Sequence, residues 1–328
     1  MDEFASSTLV AAVGRALTGA GITTTAPHAD GALLPFAAKR RFLTGVAARH
    51  GLLPLLRVGL VLPELASDPA VTALLGARSP LDLFERWGRL ERFTHSRHRV
   101  LVHHAGGGSV AAEHVGPPSE PPVPAEDVLV LGLLTVLLTM TGARGLTVAA
   151  GRDTPRTVFD GGGFTAPPPG TDTARWRFTW TSTAPPAPRA APSAGADDAG
   201  RARRLLAGDP ARRWSLQALA AGLDTSPRTL QRRLRPAGGF QRLLAAVRAE
   251  AAAALLVDGR HALPVVGFAC GYADQPHFTR EFRRRTAMTP AAYGRAFARH
   301  PSDKERTPWT SPAERSSSRA APAASGAS

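Results

Sequence analysis

Arg228, Gln231 and Arg232 fall at positions i, i+3 and i+4, and a second set, Gln275, His277 and Arg280, recurs about fifty residues later. The chemistry open to these side chains is directional hydrogen bonding rather than bond making. A guanidinium fork matches the O6 and N7 acceptors of guanine, and a carboxamide matches the N6 and N7 edge of adenine. No Ser/His/Asp arrangement or pair of carboxylates stands out, so no enzyme is expected. The runs Gly106–Gly108 and Gly161–Gly163 lack the strand–turn–helix setting and the lysine of a phosphate loop, and read as turns.

Each set belongs to the second of two short helices. In the first unit, within Trp214–Arg235, Ser215 is placed to cap a helix carrying Leu216, Leu219 and Ala220, and Gly222 ends it. Ser226 then caps a second helix with Pro227 at its first position, where a missing N–H does no harm. Leu230 and Leu234 point inward, leaving Arg228, Thr229, Gln231, Arg232 and Arg235 outward. The second unit, within Pro264–Arg285, repeats the logic with Gly271 at the turn, Asp274 as cap and Phe278 and Phe282 inward. Arg233, Arg235, Arg283, Arg284 and Arg285 suit phosphate oxygens, which position without specifying. Phe240–Leu256 is helical between the units and is stopped by Gly259. A stiff rod of that kind sets the spacing of two reading heads near one DNA turn, about 34 Å. One exposed arginine run reads as a solvated face as readily as an interface; two copies in matched register point to double-stranded DNA.

Here the chain resembles the DNA-binding domain of AraC/XylS-family transcriptional regulators. The likeness is carried by SPRTLQRRL, by Arg248 with Ala252 and Leu255–Leu256, by GYADQPHFTREFRRR and by TPAAY, over about 100 residues. It implies base contacts at Arg228, Gln231 and Arg232 in the first unit and at Gln275, His277 and Arg280 in the second. It also implies an activator that works through RNA polymerase. The chain departs from the family pattern in a shorter turn at Pro236–Gly239, at Gly267 and Ala287, where alanine and glycine are usual, and at Gly294 in place of an arginine. Upstream, SPLDLFERWGRLERFTHSRHRV followed by EDVLVLGLLTVLL is similar to the sensing and dimerising halves of regulators of amino-acid or amine catabolism. That implies a small-molecule effector and a homodimer contact.

Composition supports a polyanion partner. The formal net charge is +14, and residues 201–299 hold 18 arginines against six acids, so +12 of it lies in one segment. Each cation set against a phosphate releases a condensed counterion. The single cysteine, Cys270, rules out an internal disulfide and reads as buried filler. The acidic start MDEFASST is unlike a secretory signal, and the apolar run Val128–Met140 is too short to span a bilayer, so a cytoplasmic location without a membrane partner is expected.

The fold expected is an α+β N-terminal domain over 1–183, a flexible linker over 184–200, an all-α C-terminal domain over 201–300 with two helix-turn-helix units joined by a long helix, and a disordered tail over 301–328. In the first domain Ser7–Gly19, Arg40–His50, Ser67–Leu75, Pro80–Phe93 and Glu126–Thr141 have helical spacing, and Arg99–His104, Val110–His114, Gly145–Ala150 and Arg175–Thr183 read as strands. Trp87, Trp176 and Trp180 read as core. His95, His98, His103, His104 and His114 cluster there without the fixed spacing of a metal site, and are expected to be surface or pocket-lining; no metal or other cofactor is expected. Two rival readings are a nonspecific architectural DNA-binding protein, against which the caps and Gln231 and Gln275 argue, and an alkyl-transfer repair enzyme, which Cys270 alone does not equip.

Overall fold

The computed structural model describes residues 4–29, 31–185 and 198–299. The expected tail from 301 and most of the expected linker, 186–197, lie outside these residues.

The chain opens with β1 (Phe4–Ser6) and α1 (Ser7–Gly19), then β2 (Leu33–Pro35) and α2 (Phe36–His50), the two strands pairing antiparallel. α3 (Leu53–Leu56) runs into a 3-10 helix, Arg57–Leu65, followed by α4 (Pro69–Leu75) and α5 (Pro80–Thr94). Asp68 and Ser79 cap the last two by accepting backbone N–H groups, each with proline in the first turn. Then come the hairpin β3 (Arg99–Gly106) and β4 (Ser109–Val115), α6 (Pro124–Met140), and the strands β5 (Ala143–Arg144), β6 (Thr147–Ala150), β7 (Arg156–Phe159), β8 (Arg175–Thr179) and β9 (Ser182–Thr183).

The main sheet is antiparallel in the order β3-β4-β8-β6-β7. Alternation puts Val110, Ala112 and His114 on its inner face. Val110 lies opposite Phe178 and Ala112 opposite Trp176, and Val148 and Ala150 flank the same pair from the other side. α5 covers this face, with Phe84 packed edge-on to Phe178 at 5.3 Å. α6 has no polar face: 13 of its 17 residues are buried, as a helix surrounded by protein requires. The glycine that interrupts its apolar run has a steric reason, since a Cβ at Gly132 would collide with the Leu56 carbonyl oxygen. Among the described residues no single helix is long and apolar enough to cross a membrane.

The C-terminal half is all helical: α7 (Asp198–Gly208), α8 (Leu216–Ala221), α9 (Pro227–Leu234), a 3-10 turn at Arg235–Ala237, α10 (Gly239–Asp258), α11 (Leu263–Ala269), α12 (Gln275–Thr286) and α13 (Pro290–Phe297). α7 begins inside the segment expected as linker. The β1–β2 pair, α3 with its 3-10 extension, β7 and α7 were not evident from periodicity, being short or lacking a repeated apolar step.

The cores divide unevenly. The first unit has its own, in which α7, α8, α9 and the start of α10 bury Leu206, Trp214, Leu219, Leu230, Leu234 and Leu244. The second unit instead shares one continuous core with the N-terminal half. Four hydrogen bonds mark that junction. Tyr293 Oη donates to the Pro69 carbonyl at 2.6 Å, Arg86 Nη1 to Phe297 O at 3.0 Å, Arg89 Nη1 to Ala296 O at 2.7 Å, and the Ala32 amide to Arg284 O at 2.9 Å.

Candidate nucleic-acid interface

The first reading head is fixed by its caps. Ser215 Oγ accepts the Ala218 amide at 3.0 Å, and Ser226 Oγ accepts the Thr229 amide at 3.2 Å. Leu230 and Leu234 are wholly buried, so the opposite face of α9 must face out. Arg228, Gln231, Arg232 and Arg235 are all exposed there, and among the described residues none has a side-chain hydrogen bond or ion pair. Arg233 is exposed but held: its Nη1 donates to Asp198 Oδ2 at 2.6 Å, tying α9 to the start of α7.

The second head follows the same plan with larger anchors. Asp274 Oδ1 accepts the His277 amide at 2.6 Å, and Phe278 and Phe282 are wholly buried. Gln275, Arg280 and Arg283 are exposed and unbonded. His277 is half-buried against Tyr272, and its Nδ1 accepts the Ala273 amide at 3.3 Å. In the neutral ring the proton therefore sits on Nε2, which can donate outward. Arg284 pairs with Glu281 at 2.8 Å while its peptide carbonyl takes the Ala32 amide. Arg285 is turned from solvent: its Nη2 donates to Arg242 O at 3.2 Å and its Nε is buried without a partner.

One side chain of the joining helix touches both heads. Arg248, on α10, donates from Nε to Pro210 O at 3.1 Å and from Nη2 to Arg212 O at 3.2 Å, just ahead of α8. The same guanidinium lies where a Cβ at Gly271 would go, and Gly271 holds φ at +76° in the turn of the second unit. Glycine is required there on both counts. α10 has 20 residues and so spans about 30 Å.

These features place two capped helix–turn–helix units on one rod, and the comparisons agree. Residues 219–296 match a family described as a helix-turn-helix domain. The segment is an AraC-type helix-turn-helix domain. The urease operon transcriptional activator of Escherichia coli is 31% identical over 90 residues, which is 27% of this chain and 30% of that protein. The chain thus matches less than a third of that relative's length. A crystal structure of a DNA-binding transcriptional dual regulator from Escherichia coli K-12 is 28% identical and covers 31% of this chain and 94% of that one, with a TM-score of 0.30. That of the transcriptional regulator CdpR from Pseudomonas aeruginosa is 19% identical and covers 87% and 97%, with a TM-score of 0.33. The matched proteins are regulators, not enzymes.

The histidines fall into two groups. His103 and His104 stay on the exposed face of β3, whereas His95, His98 and His114 converge inside the N-terminal half. They meet charged groups that were not singled out from sequence. Lys39 Nζ lies 2.7 Å from His95 Nε2 and 3.1 Å from Glu126 Oε1, and His114 Nδ1 lies 2.9 Å from Asp127 Oδ1. The available signals were that Lys39 is one of only two lysines and that Glu126 and Asp127 stand at the head of an apolar helix. His95 Nδ1 accepts the His98 amide at 3.1 Å, so its own proton is on Nε2, facing Lys39. Burial lowers the basicity of Lys39, against the pull of Glu126. Burial likewise lowers His98 to about 4 and pushes Glu91 up to about 7.

Proposed function

We propose that the protein is a sequence-specific DNA-binding transcription regulator that sets two recognition helices, α9 and α12, into adjacent major-groove segments. What carries this is the repeated placement of outward polar side chains opposite buried anchors: Arg228, Gln231 and Arg232, unbonded among the described residues, opposite Leu230 and Leu234, then Gln275 and Arg280, likewise unbonded, with His277, whose Nδ1 accepts the Ala273 amide, opposite Phe278 and Phe282. Side chains with no internal partner keep their hydrogen-bonding capacity for base edges. Arg235 and Arg283 are proposed as phosphate contacts, and Arg233 as one that exchanges Asp198 for a phosphate. Arg284 and Arg285 are proposed as phosphate contacts as well, Arg284 exchanging Glu281 and Arg285 exchanging the Arg242 carbonyl for a phosphate.

The relative's name, a transcriptional activator, supports activation as the mode of action; RNA polymerase is proposed as the partner through which it would act. Control by a small molecule is proposed from the N-terminal half, whose core is continuous with the second unit. The test is selection of bound fragments from genomic DNA by the purified full chain, followed by affinity measurement on the enriched duplex. Gln231→Ala is expected to cost about 1–3 kcal/mol on that duplex and little on a scrambled one. Equal binding to every duplex, with no enrichment, would establish the nonspecific architectural reading instead.

A further inference from the structure

A cavity of about 100 Å³ lies inside the N-terminal half between α1, the Arg57–Leu65 helix, α4, α5 and α6. Its body is apolar, with Ala12, Leu62, Val71, Leu74, Val130 and Leu133 on the wall. A space of that size exceeds what one water needs, and such a wall offers water few partners. One end is polar and holds Lys39, Trp87, Glu91, His95 and His98.

The groups at that end are unbalanced in one particular way. Glu91 is 7% exposed, and its carboxylate receives only neutral donors, Trp87 Nε1 at 2.6 Å and the Val100 amide at 3.1 Å. No ion pair reaches it among the described residues. The Lys39 amine is engaged instead by His95 and Glu126, at 2.7 and 3.1 Å. A buried carboxylate without a cation is costly unless it is neutralised or matched. Beside it stands the Trp87 indole, whose face attracts cations. His98 Nδ1 is buried and without a hydrogen-bond partner. A carboxylate ligand would add a second anion beside Glu91, and an uncharged ligand would leave Glu91 as it is.

Resting on the regulator reading above, we propose that this cavity is the effector site and takes a small organic amine, its ammonium group against Glu91 and Trp87 and its apolar body between α1, α4 and α6. The route to the DNA-binding half is short. α4 and α5 wall the cavity, and the same two helices hold the second unit: Pro69 receives the Tyr293 hydroxyl, and Arg86 and Arg89 reach the end of α13. An amine that fits one arrangement of α4 and α5 better than another shifts the second head through those bonds, by its differential affinity for the two.

The test uses three probes of one size on the purified full chain: benzylamine, benzyl alcohol and benzoate, followed by calorimetry. Benzylamine is expected to saturate one site at least tenfold more tightly than benzyl alcohol, with benzoate weaker still. Glu91→Gln is expected to remove that tenfold preference while benzyl alcohol still binds, which shows the cavity intact, and Ala12→Leu is expected to fill the space and weaken both. Benzylamine is also expected to change affinity for the enriched duplex at least threefold, and Arg86→Gln to keep benzylamine binding but lose that change. Equal binding of amine and alcohol, tighter binding of benzoate, or no binding overturns the site. Benzylamine binding with no effect on the wild-type duplex affinity overturns the coupling. Failure to enrich any DNA, with amine binding as expected, overturns the regulator reading and leaves the site standing.

Discussion

Arg86 and Phe297 are 211 residues apart in sequence, yet Arg86 Nη1 donates to the Phe297 carbonyl at 3.0 Å and, at the same distance, to Ala73 O. One guanidinium thus joins α5, α4 and the last residue of α13. Asp82, one turn earlier on α5, takes its Nε at 3.1 Å. Because Arg86 is 4% exposed, its loss takes the donor from two carbonyls at a buried junction.

Arg86→Ala is therefore expected to destabilise the full chain by about 2–4 kcal/mol, the cost of unsatisfied buried groups and lost packing. Urea unfolding followed by far-UV circular dichroism measures it. A change below about 0.5 kcal/mol, the scale of an ordinary surface substitution, would mean that the junction contributes little to stability.

Ala287 carries the next prediction. It ends α12 in the left-handed region with φ at +62°. That conformation costs a non-glycine residue about 1–2 kcal/mol, against about 0.4–1 kcal/mol of extra unfolded-state freedom that glycine would bring. Ala287→Gly should stabilise by about 0.5–1 kcal/mol, read as a raised urea midpoint at unchanged slope. A lowered midpoint would show that the methyl group has packing worth more than the strain.

The two recognition helices were legible because their signals are local. A serine, aspartate or threonine cap followed by proline and an inward pair four residues apart fixes each helix from a handful of neighbours, as at Ser226, Asp274 and Thr289. The alternation of Trp176 and Phe178 likewise announced β8. What could not be read depends on distance in the chain. Lys39 and His95 lie 56 residues apart, and no spacing rule brings them together. Nor does composition separate Arg285, whose side chain turns back onto the α10 backbone at Arg242, from Arg283, which faces solvent. The shared core of the second unit and the N-terminal half has the same origin: Val257 and Tyr293 look like ordinary interior residues of a helical domain until α4 is placed beside them.

Arg235 and Arg232 differ in what they are expected to read, and salt separates them. Both are exposed and unbonded. Arg235 closes α9 beyond the base-reading turn, so Arg235→Ala should weaken binding to enriched and scrambled duplexes alike and lower the slope of log K against log[salt] by about 1. Arg232→Ala should instead lose about 1–3 kcal/mol on the enriched duplex and relax the base preference at one position. Fluorescence anisotropy at several salt concentrations distinguishes the two. Identical behaviour would place both residues on the backbone.

Glu91 ties stability to pH in a direction opposite to that of most carboxylates. Burial pushes its folded value up to about 7, against bonds from the Val100 amide and Trp87 and the fields of Arg99 and Lys39, while the unfolded chain has the ordinary value of a glutamate. The folded state therefore holds a proton that the unfolded state has released between about pH 4.3 and 7. Its contribution is complete below that window and is lost as pH rises through it, on the order of 3 kcal/mol in all. His98, lowered to about 4 by burial, works the other way, since the unfolded chain takes up its proton first as pH falls below about 6.5. The His98 contribution offsets that of Glu91 in the acid range and leaves it unopposed by His98 near neutrality. Glu91→Gln removes the Glu91 contribution, so the variant is expected to gain stability relative to wild type from pH 5 to about pH 7 and to level off above it. Urea midpoints at half-unit steps test this, and a difference between the two proteins that stays constant with pH would show that Glu91 is ionised throughout and already matched in the folded chain.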